Sequence, residues 1–556
     1  MMTGDKYFAE AMKAYGVTHL FFVPTIMIPA MAAMEDGDIT RVTCHDEKAA
    51  AYMADGYARA SHRPGICLAQ NVGSMNLAAG LRDGRMAGSP IIAITGGADS
   101  AARYRHVYQE VEDFSVFEPV TKMSVEVDHV RLLPNLLRQA FRAATTGAPG
   151  PVHVRMRGRH GNVLEAESDL DVTFEKQFSR YPAFRPEAER TDIDAAIQKL
   201  LQAERPIIVA GGGVIRSQAE PEVVALAEKL SLPVVTSLNG KAAIPENHPL
   251  SIGVCGTYSR WCANRAVAQA DLVFFVGSHT GSQVTHNWRI PKPGTPVIQL
   301  DIDPEEIGRS CPALVGLVGD AQATLGRMVE SVQEPINRPQ WIEFVQGLKN
   351  EWREEVKALW HSDQTPIRPE RICREISDFL PADAVLVGDT GQAAFWTGTM
   401  VELKHATQSY IRCAGSLGWA FPASLGVKCA LPNRPVLCFT GDGGFYYHIS
   451  ELETAARFGI NTVVLVNNNH SLGQEQRLFD AAYGGTQRGR AHSMWMFTET
   501  NFAKVAEGMG CLGIRVEKAS DLRAALAQAF AADRPAVVDV ISDYQVLHPR
   551  AWADES

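Results

Sequence analysis

Two metal-binding residue types stand at the ends of neighbouring strand-like segments. Asp442 follows the apolar run Pro435-Val-Leu-Cys-Phe-Thr440, and Asn469 follows a second apolar run, residues 461–466, with a helical segment between the two. The pattern predicts a βαβ unit in which both strands end beside a polar side chain. Ligands of open α/β sheets bind at the carboxyl ends of the strands. We therefore expect the Asp442 carboxylate and an amide of the run Asn467-Asn468-Asn469 to converge on one ion.

A carboxylate and a carboxamide supply hard oxygen ligands of the kind that Mg²⁺ prefers, but too few to enclose it. Such a cation keeps water and takes its remaining oxygens from a substrate or cofactor phosphate. The glycines of Gly441-Asp442-Gly443-Gly444 allow the backbone to approach a diphosphate closely. This turn alone is also compatible with an ordinary strand-to-helix turn. The spacing of 27 residues from Asp442 to Asn469, with strand, helix and strand between, is what favours a binding motif.

This spacing resembles the thiamine diphosphate (ThDP) binding motif, in which GDG is followed by a helix and by a strand that ends in NN. The resemblance implies that Asp442 and Asn469 bind the metal through their side chains and that Ser471 binds it through its backbone carbonyl. The cofactor-binding residues that it assigns in this stretch are Gly441, Asp442, Gly443, Gly444, Asn469, Ser471, Leu472 and Gly473.

Bulk properties exclude several classes of function. The 556 residues are 46% hydrophobic and 21% charged, which is typical of a globular protein with three or four domains. The net charge of −10 argues against nucleic acid or an anionic membrane as a partner. Ten cysteines without a CxxC pair predict free thiols in a reducing compartment. Because the sequence contains neither a signal peptide nor an uninterrupted apolar run of membrane-spanning length, we expect a cytoplasmic protein.

Alternating helical and strand-like segments predict an α/β fold of three doubly wound domains with parallel sheets. The predicted divisions are a first domain at 1–165, a linker at 166–190, a Rossmann-like middle domain at 191–330, a linker at 331–365 and a third domain at 366–556. The resemblance to ThDP-binding proteins implies that the first domain binds the pyrimidine of the cofactor and the third its diphosphate. The turn Gly211-Gly-Gly213 resembles a dinucleotide loop but lacks the full GxGxxG spacing.

Glu47 stands at a strand-to-helix junction, where an acid also simply favours the positive helix N-terminus. The stretch YGVTHLFFVP, followed by Glu47 nine residues before Gly56-Tyr57-Ala58-Arg59, resembles the pyrimidine-binding domain of the acetolactate synthase family. The resemblance implies that Glu47 contacts N1′ of the ThDP aminopyrimidine. The loop 70–76 and the segment 106–110 resemble the family's GPGATN and FQE positions. The further residues assigned here are Pro24, Gly73, Asn76 and Gln109.

Two loops near the start of the third predicted domain resemble the same family. Gly388-Asp-Thr-Gly-Gln392 resembles a diphosphate-side loop, which assigns Gly391 and Gln392 to the cofactor. Gly415-Ser-Leu-Gly-Trp-Ala-Phe-Pro422 resembles GAMGFGLP, which assigns Gly415 and places Leu417 where a bulky apolar residue holds the cofactor in its bent shape. Glu47, Gln109 and Leu417 form the predicted catalytic set. The resemblance spans nearly the whole chain in the same order.

The resemblance implies ThDP and Mg²⁺ as cofactors and an active site shared between subunits. A homodimer is then the minimum active unit, and a homotetramer is the favoured assembly. Ile26, Met27 and Ile28 are the candidates to line an apolar substrate pocket. His45 and His448 are the histidines that we select as candidate acid–base groups, since histidine titrates near neutrality.

The sequence departs from the family in the middle domain. Acetolactate synthases carry an RFDDR-like stretch that helps to hold FAD and an acceptor pyruvate, and the corresponding residues 278–283 contain no arginine. Arginine binds carboxylates in a bidentate manner that His279 and Gln283 do not reproduce. Leu478 also stands where the family has a tryptophan. FAD or another nucleotide in the middle domain therefore stays an open alternative.

Three functions remain in competition. The leading hypothesis is ThDP- and Mg²⁺-dependent decarboxylation of a 2-oxo acid, with release or transfer of the acyl unit as in an acetolactate synthase-like carboligase. The second is a ThDP-dependent C–C lyase that acts on a 2-hydroxyacyl-CoA or a diketone. The third is a non-catalytic cofactor-binding homologue. The presence of Glu47 together with Asp442 and Asn469 argues against this last hypothesis, because a binding-only protein needs no activating glutamate.

Overall fold

Three six-stranded parallel sheets follow one another along the chain, in a computed structural model that describes residues 1–549 and 551. Helices connect the strands, so the predicted class of three doubly wound α/β units is confirmed. Most strands are continuous apolar runs, such as Ile91–Thr95 and Leu272–Val276, in which every residue is buried. Strands of this kind are expected where helices cover both faces of a parallel sheet.

The first sheet has the order β3-β2-β4-β5-β7-β6, and a separate pair, β1 and β8, is antiparallel. The elements of this part of the chain are β1 (Met2–Thr3), α1 (Gly4–Ala14), β2 (His19–Val23), α2 (Ile28–Ala33), β3 (Thr40–Thr43), α3 (Glu47–Ser61), β4 (Gly65–Ala69), α4 (Ser74–Ala87), β5 (Ile91–Thr95), β6 (Met123–Val127), α5 (Leu133–Thr145), β7 (Val152–Met156) and β8 (Glu167–Ser168). The chain crosses the sheet after β3 and again after β5.

The middle sheet has the order β11-β10-β9-β12-β13-β14, which is the strand order of doubly wound dinucleotide-binding folds. Its elements are α6 (Arg190–Gln202), β9 (Pro206–Ala210), α7 (Gly212–Ser217), α8 (Glu220–Leu230), β10 (Val234–Thr236), β11 (Ser251–Val254), α9 (Trp261–Gln269), β12 (Leu272–Val276), β13 (Val297–Asp301), β14 (Val315–Val318), α10 (Ala321–Ser331) and α11 (Pro339–Trp360). Helix α11 occupies most of the segment that we predicted as the second linker, and its Trp341, Trp352 and Trp360 are buried.

The third sheet has the order β16-β15-β17-β18-β20-β19, which repeats the connectivity of the first. Its elements are α12 (Pro369–Phe379), β15 (Val385–Gly388), α13 (Gln392–Phe395), β16 (Ser409–Arg412), α14 (Ala420–Ala430), β17 (Val436–Gly441), α15 (Asp442–Phe445), α16 (Glu451–Phe458), β18 (Val463–Asn468), α17 (Gln476–Ala482), α18 (Phe502–Gly508), β19 (Leu512–Val516), α19 (Leu522–Ala531) and β20 (Ala536–Ile541). The exact domain boundaries stay predictions.

Helices α3 and α14 join the first and third sheets through backbone-to-backbone contact. A Cβ atom added at Gly56 of α3 would overlap the carbonyl oxygen of Ala423, and one added at Gly426 of α14 would overlap that of Met53. Apolar residues of both sheets belong to one continuous buried cluster around this pair of helices. Close approach without intervening side chains therefore fixes how the two sheets sit against each other.

Buried charges reinforce this contact. Asp83 of α4 is fully buried and accepts hydrogen bonds from the backbone amides of residues 414, 415 and 416, at 2.7, 3.0 and 2.9 Å. Arg59 donates to Asp55 Oδ2 at 2.7 Å, and Trp419 Nε1 donates to the same oxygen at 2.9 Å. Burial raises the pKa of the Asp55 carboxyl, and Arg59 opposes that shift. The loop before α14 is thus held by acids of the first unit.

Within the described residues, no helix combines the length and the apolarity that crossing a bilayer requires. All ten cysteines are free thiols, as the sequence predicts, and eight of them are buried.

A methyl group at the α3–α14 contact should destabilise the fold. We expect Gly426→Ala to lower the free energy of unfolding by about 1–3 kcal/mol or more, because the added Cβ meets rigid backbone and not a movable side chain. Gly347→Ala in α11 is the matched control, since nothing lies within 4 Å of its Cβ position. Alanine there should be neutral or stabilising by about 0.5–1 kcal/mol. Denaturant unfolding of both variants measures the difference, and equal stabilities would contradict the proposed contact.

Candidate active site

The structure brings Asp442, Asn469 and Ser471 together at the carboxyl edge of the third sheet. Strand β17 ends at Gly441, directly before Asp442, and β18 ends at Asn468, directly before Asn469. Asp442 Oδ2 and Asn469 Oδ1 both accept from the backbone amide of Ser471, at 3.0 and 3.2 Å. Ser471 Oγ also donates to Asn469 Oδ1 at 3.0 Å. The three side chains are buried and adjacent, as the βαβ pattern predicts.

The donor chemistry of this group fits a hard divalent cation. Burial raises the pKa of Asp442 to about 7, although backbone amides around it oppose the shift. A bound cation would stabilise the carboxylate in this environment. Within residues 1–549 and 551, no group of three or more His, Cys, Asp and Glu side chains could hold a metal ion. A cation on Asp442 and Asn469 would therefore need further oxygens from backbone, water or a bound phosphate.

Gln392 offers an unused hydrogen-bonding amide beside the same group. Its side chain is only 9% exposed, and neither amide atom has a hydrogen-bond partner in the described part of the chain. A Cβ added at Gly473 would lie 3.2 Å from Gln392 Nε2 and 3.3 Å from Asn469 Nδ2. Buried unpartnered polar groups are rare in folded proteins and need an explanation. A ligand with acceptor oxygens, such as a diphosphate, would satisfy this amide and lie over the glycine.

Two further glycines shape this cradle. Gly391, which immediately precedes α13, has a φ of +67°, a conformation that glycine adopts without strain. A Cβ at Gly443 would lie 2.6 Å from Leu472 Cδ2, so the glycine permits the loop after β18 to close over the start of α15. Gly441 and Gly444 flank Asp442 in the same turn, as the sequence places them.

Asp389 is a structural residue of the site that the sequence analysis did not single out. Asp389 Oδ1 accepts from the amides of Thr390 and Gly418 at 2.8 and 3.1 Å, and Oδ2 accepts from Thr440 Oγ1 at 2.9 Å. It therefore ties together the loops after β15 and β16 and the end of β17. Leu417 is half-buried and directly precedes Gly418. Burial raises the pKa of Asp389 to about 6. No local pattern marks its link to Gly418 and Thr440, because these two partners are distant in sequence.

Glu47 begins helix α3, and the Asp46 side chain caps the helix by accepting from the Lys48 amide at 3.0 Å. Asn76 Nδ2 donates to Glu47 Oε2 at 3.1 Å. A Cβ at Gly73 would overlap Glu47 Oε1, so only glycine leaves room for the carboxylate in this position. The structure thus groups Glu47, Gly73 and Asn76 at the carboxyl edge of the first sheet.

The remaining predicted residues lie on surface loops. Gln109 has a left-handed backbone, with φ of 66°, and its carbonyl oxygen accepts from Asn71 Nδ2 in the loop that leads to Gly73. Its side-chain oxygen has no hydrogen-bond partner within the described chain. Pro24 is exposed directly after β2, and Gly415 is exposed in the loop whose amides bind Asp83. Their assignment to the cofactor stays a prediction.

The predicted apolar lining is only partly accessible. Ile26 and Met27 are 0% and 1% exposed in the core of the first sheet, whereas Ile28 is 46% exposed. The Met27 amide donates to His160 O at 2.8 Å, which fixes this turn with both side chains inward. The prediction that Ile26 and Met27 line an open pocket is therefore wrong, since they stabilise the fold instead.

Two cavities lie at the carboxyl edge of the middle sheet. The smaller, of about 170 Å³, is lined by Ser278, His279 and Gln283, which stand where the resemblance led us to look for arginines. The larger, of about 450 Å³, is lined by His279 and Asp301. Arg216 borders both, and its Nη1 donates to Ala87 O at 2.7 Å. Sites at this edge are where doubly wound sheets bind ligands.

Comparison with known protein families matches three regions of the chain. Residues 2–116 match the thiamine pyrophosphate enzyme N-terminal TPP binding domain, 193–328 match the central domain, and 389–540 match the C-terminal TPP binding domain. Each region contains most of one of the three sheets. The three matches and the three-sheet fold thus define a protein of the thiamine pyrophosphate-binding class.

Individual relatives extend over almost the whole chain. A probable acetolactate synthase large subunit of Methanocaldococcus jannaschii is 31% identical over 98% of this chain and 92% of its own. A glyoxylate carboligase of Escherichia coli O157:H7 is 34% identical over 95% of this chain and 91% of its own. An acetolactate synthase large subunit of Corynebacterium glutamicum is 31% identical over 97% and 87%, respectively. The chain belongs to the family of thiamine pyrophosphate-dependent enzymes and is an acetolactate synthase-like member of it.

The buried Asp389 carboxylate should leave a signature in the pH dependence of stability. Its folded pKa of about 6 exceeds the ordinary value of 3.8. Its contribution to stability is therefore complete below about pH 4 and is lost as the pH rises through about 6. Asp389→Asn removes this titration. The free energy of unfolding of the variant, relative to that of the unsubstituted protein, should therefore rise by up to about 3 kcal/mol from low to neutral pH.

Urea unfolding of both proteins across the pH range from about 3.5 to 7.5 measures this difference. The other acids titrate in both proteins. The informative quantity is therefore how the difference between their free energies of unfolding changes with pH. Parallel curves would show that Asp389 keeps an ordinary pKa in the folded state.

Proposed function

We propose that this chain is a ThDP- and Mg²⁺-dependent enzyme that decarboxylates a 2-oxo acid and then releases or transfers the acyl unit, as an acetolactate synthase-like carboligase. The convergence of Asp442, Asn469 and Ser471 around shared hydrogen bonds carries the proposal. The names of the relatives, acetolactate synthase and glyoxylate carboligase, support the transfer of an acyl unit.

The group of residues around Asp442 would hold the cofactor by its diphosphate. Asp442 and Asn469 would bind Mg²⁺ through side-chain oxygens, and Ser471 would bind it through its backbone carbonyl. Gln392 would donate its unused amide to a phosphate oxygen, and the glycines at 441, 443, 444 and 473 would leave room for the charged group. Hard oxygen ligands and backbone amides are the usual surroundings of Mg²⁺-bound phosphates.

Activation of the aminopyrimidine ring of the cofactor would depend on Glu47. Once bound, ThDP supplies an electron-accepting thiazolium that makes the loss of CO₂ from a 2-oxo acid accessible. Asn76 donates to Glu47 Oε2 and so orients the carboxyl group, while the missing side chain of Gly73 leaves space at Oε1. The Glu47 carboxyl group is the one that would share a proton with N1′ of the aminopyrimidine. Leu417 would hold the bent cofactor, and the side-chain amide of Gln109 would face the substrate.

A second candidate function is a C–C lyase that acts on a 2-hydroxyacyl-CoA or a diketone. The cavity of about 450 Å³ beside Asp301 favours it, because this volume suits a small-molecule or nucleotide ligand at the edge of a doubly wound sheet. FAD would occupy the same region, although residues 278–283 lack the arginines of acetolactate synthases. A non-catalytic homologue is the third candidate, against which the arrangement around Glu47 argues.

We further propose a cytoplasmic enzyme whose minimum active unit is a homodimer, with a homotetramer as the favoured assembly. Glu47 and Asp442 lie on different sheets, and the family resemblance implies that each site takes one from each subunit. Light scattering coupled to size-exclusion chromatography measures the assembly directly. A fully active monomer would contradict it.

The substrate question is decided by a turnover measurement on protein purified without added cofactor. The visible spectrum is recorded first, and CO₂ release is then followed with ThDP, Mg²⁺ and a panel of 2-oxo acids that includes pyruvate and glyoxylate. We expect CO₂ release that depends on both cofactors. A flavin spectrum with pyruvate turnover would favour acetolactate synthesis, whereas cofactor binding without any CO₂ would favour the lyase.

The two ends of the site should respond differently to substitution. Glu47→Gln is expected to lower kcat by about 10²–10⁴-fold with little change in ThDP affinity, because it removes a proton-sharing group and leaves the metal site intact. Asp442→Asn should instead weaken Mg²⁺-dependent ThDP binding by about 10–100-fold. Isothermal titration and steady-state kinetics on both variants serve as reciprocal controls. Full turnover by Glu47→Gln would refute the assigned role of the glutamate.

A further inference from the structure

The first turn of α3, which includes Glu47, is held by side chains that follow Asp442 in the same chain. The His45 amide donates to Glu451 Oε1 at 3.0 Å, and His45 Nε2 lies 2.7 Å from Glu453 Oε2. Asp46 Oδ2 lies 3.3 Å from His448 Nδ1. Residues immediately before Glu47 are therefore attached to the segment that begins at the predicted metal ligand.

His448 is the buried member of these contacts. It is 1% exposed, and its ring meets Tyr52 of α3 edge-on, with 5.5 Å between centroids. Neither ring nitrogen completes a well-aligned hydrogen bond within the described chain. Burying an unpaired imidazole is costly, so the proximity of the Asp46 carboxylate matters energetically. Because His448 is buried and Asp46 is partly buried, this pair is less screened by salt than the exposed pair of His45 and Glu453.

The charge state of Asp46 reflects the contact. Burial alone would raise the pKa of this carboxyl, but His448 and the Lys48 amide outweigh that effect and hold the pKa below its ordinary value. Asp46 is thus an ionised helix cap that serves two partners at once: the amide of its own helix and the imidazole of the third unit.

The connection from His448 back to Asp442 is short and helical throughout. Helix α15 runs from Asp442 to Phe445, a single 3₁₀ turn covers Tyr446–His448, and α16 begins at Glu451. Packed helical segments are among the elements that can carry energetic coupling between sites. A shift of Asp442 on ligand binding would therefore reach His448 and, through Asp46, the start of α3.

We propose that the Asp46–His448 pair makes the position of Glu47 respond to ligand binding at Asp442 of the same chain. His448 is then a positioning residue and not an acid–base catalyst, which differs from the role that its residue type suggests. The inference rests on the proposed function, which assigns the diphosphate to Asp442 and the aminopyrimidine to Glu47. The contact itself is independent of which 2-oxo acid is the substrate.

Hydrogen–deuterium exchange on the cofactor-free full chain tests the coupling. The probe is Mg²⁺ with inorganic pyrophosphate, which can occupy the diphosphate end but has no ring to touch Glu47. Protection of amides in 441–444 and 469–473 reports binding, and protection of 47–50 reports transmission to α3. We expect exchange at 47–50 to slow by about fivefold or more, the lower range of typical coupling between sites.

Two variants separate transmission from binding. His448→Gln removes the imidazole, and Asp46→Asn removes the charge but keeps an oxygen that can cap α3. Both should retain protection at 441–444 and lose it at 47–50. His45→Gln is the control, because it breaks only the exposed pair with Glu453 and should behave like the unsubstituted protein.

Each outcome is decisive. Protection at 47–50 that persists in both variants would overturn the role of the pair. The same holds if the unsubstituted protein protects 441–444 but not 47–50, and in that case the proposed function stands. If pyrophosphate with Mg²⁺ protects neither region, the diphosphate site itself fails, and the inference fails with it.

Discussion

The backbone contact between α3 and α14 is the constraint on which the rest of the structure depends. Gly56 and Gly426 allow the two helices to touch without side chains between them, and Asp83 then fixes the loop that leads into α14. Glu47 stands at the first residue of α3, and Leu417 stands just before α14. A single helix pair therefore sets the positions of two predicted cofactor contacts that belong to different sheets.

Two buried carboxylates at the edge of the third sheet have contrasting surroundings. Asp389 is satisfied by backbone amides and by the hydroxyl of Thr440, so its task is to hold loops together. Asp442 accepts backbone amides on both carboxylate oxygens, and the Ser471 amide that it accepts is shared with Asn469. Burial raises both pKa values, to about 6 and about 7, respectively. The difference lies in their partners: Asp389 joins separate loops, whereas Asp442 shares a backbone amide with Asn469, a second predicted metal ligand.

Local patterns predicted the sheets and the grouping of Asp442 with Asn469, because strand ends in a parallel sheet meet at one edge. Asp389 and Asp83 escaped prediction, since their partners lie far away in sequence and no spacing rule connects them. Composition suggested a linker where α11 forms, because its tryptophans are buried only through tertiary contacts. Ile26 and Met27 were predicted to line a pocket because they follow Pro24-Thr25, where the resembled family usually has small residues, but apolar type and position in the chain cannot distinguish a lining residue from a core residue.

The continuous apolar cluster around α3 and α14 has a consequence for how this chain could be recombined. One buried cluster contains residues of the first and third sheets, and another joins the middle sheet to the third. The third unit therefore shares its interior with both of the others. In a chimera that exchanges the third unit alone, the new unit would have to pack against two buried clusters that it shares with the rest of the chain. Substitutions within the apolar cluster that contains only residues of the first unit and the linker after it affect the packing of that cluster alone. The three sheets are separate in their strand order, but their hydrophobic cores are continuous and would have to be exchanged together.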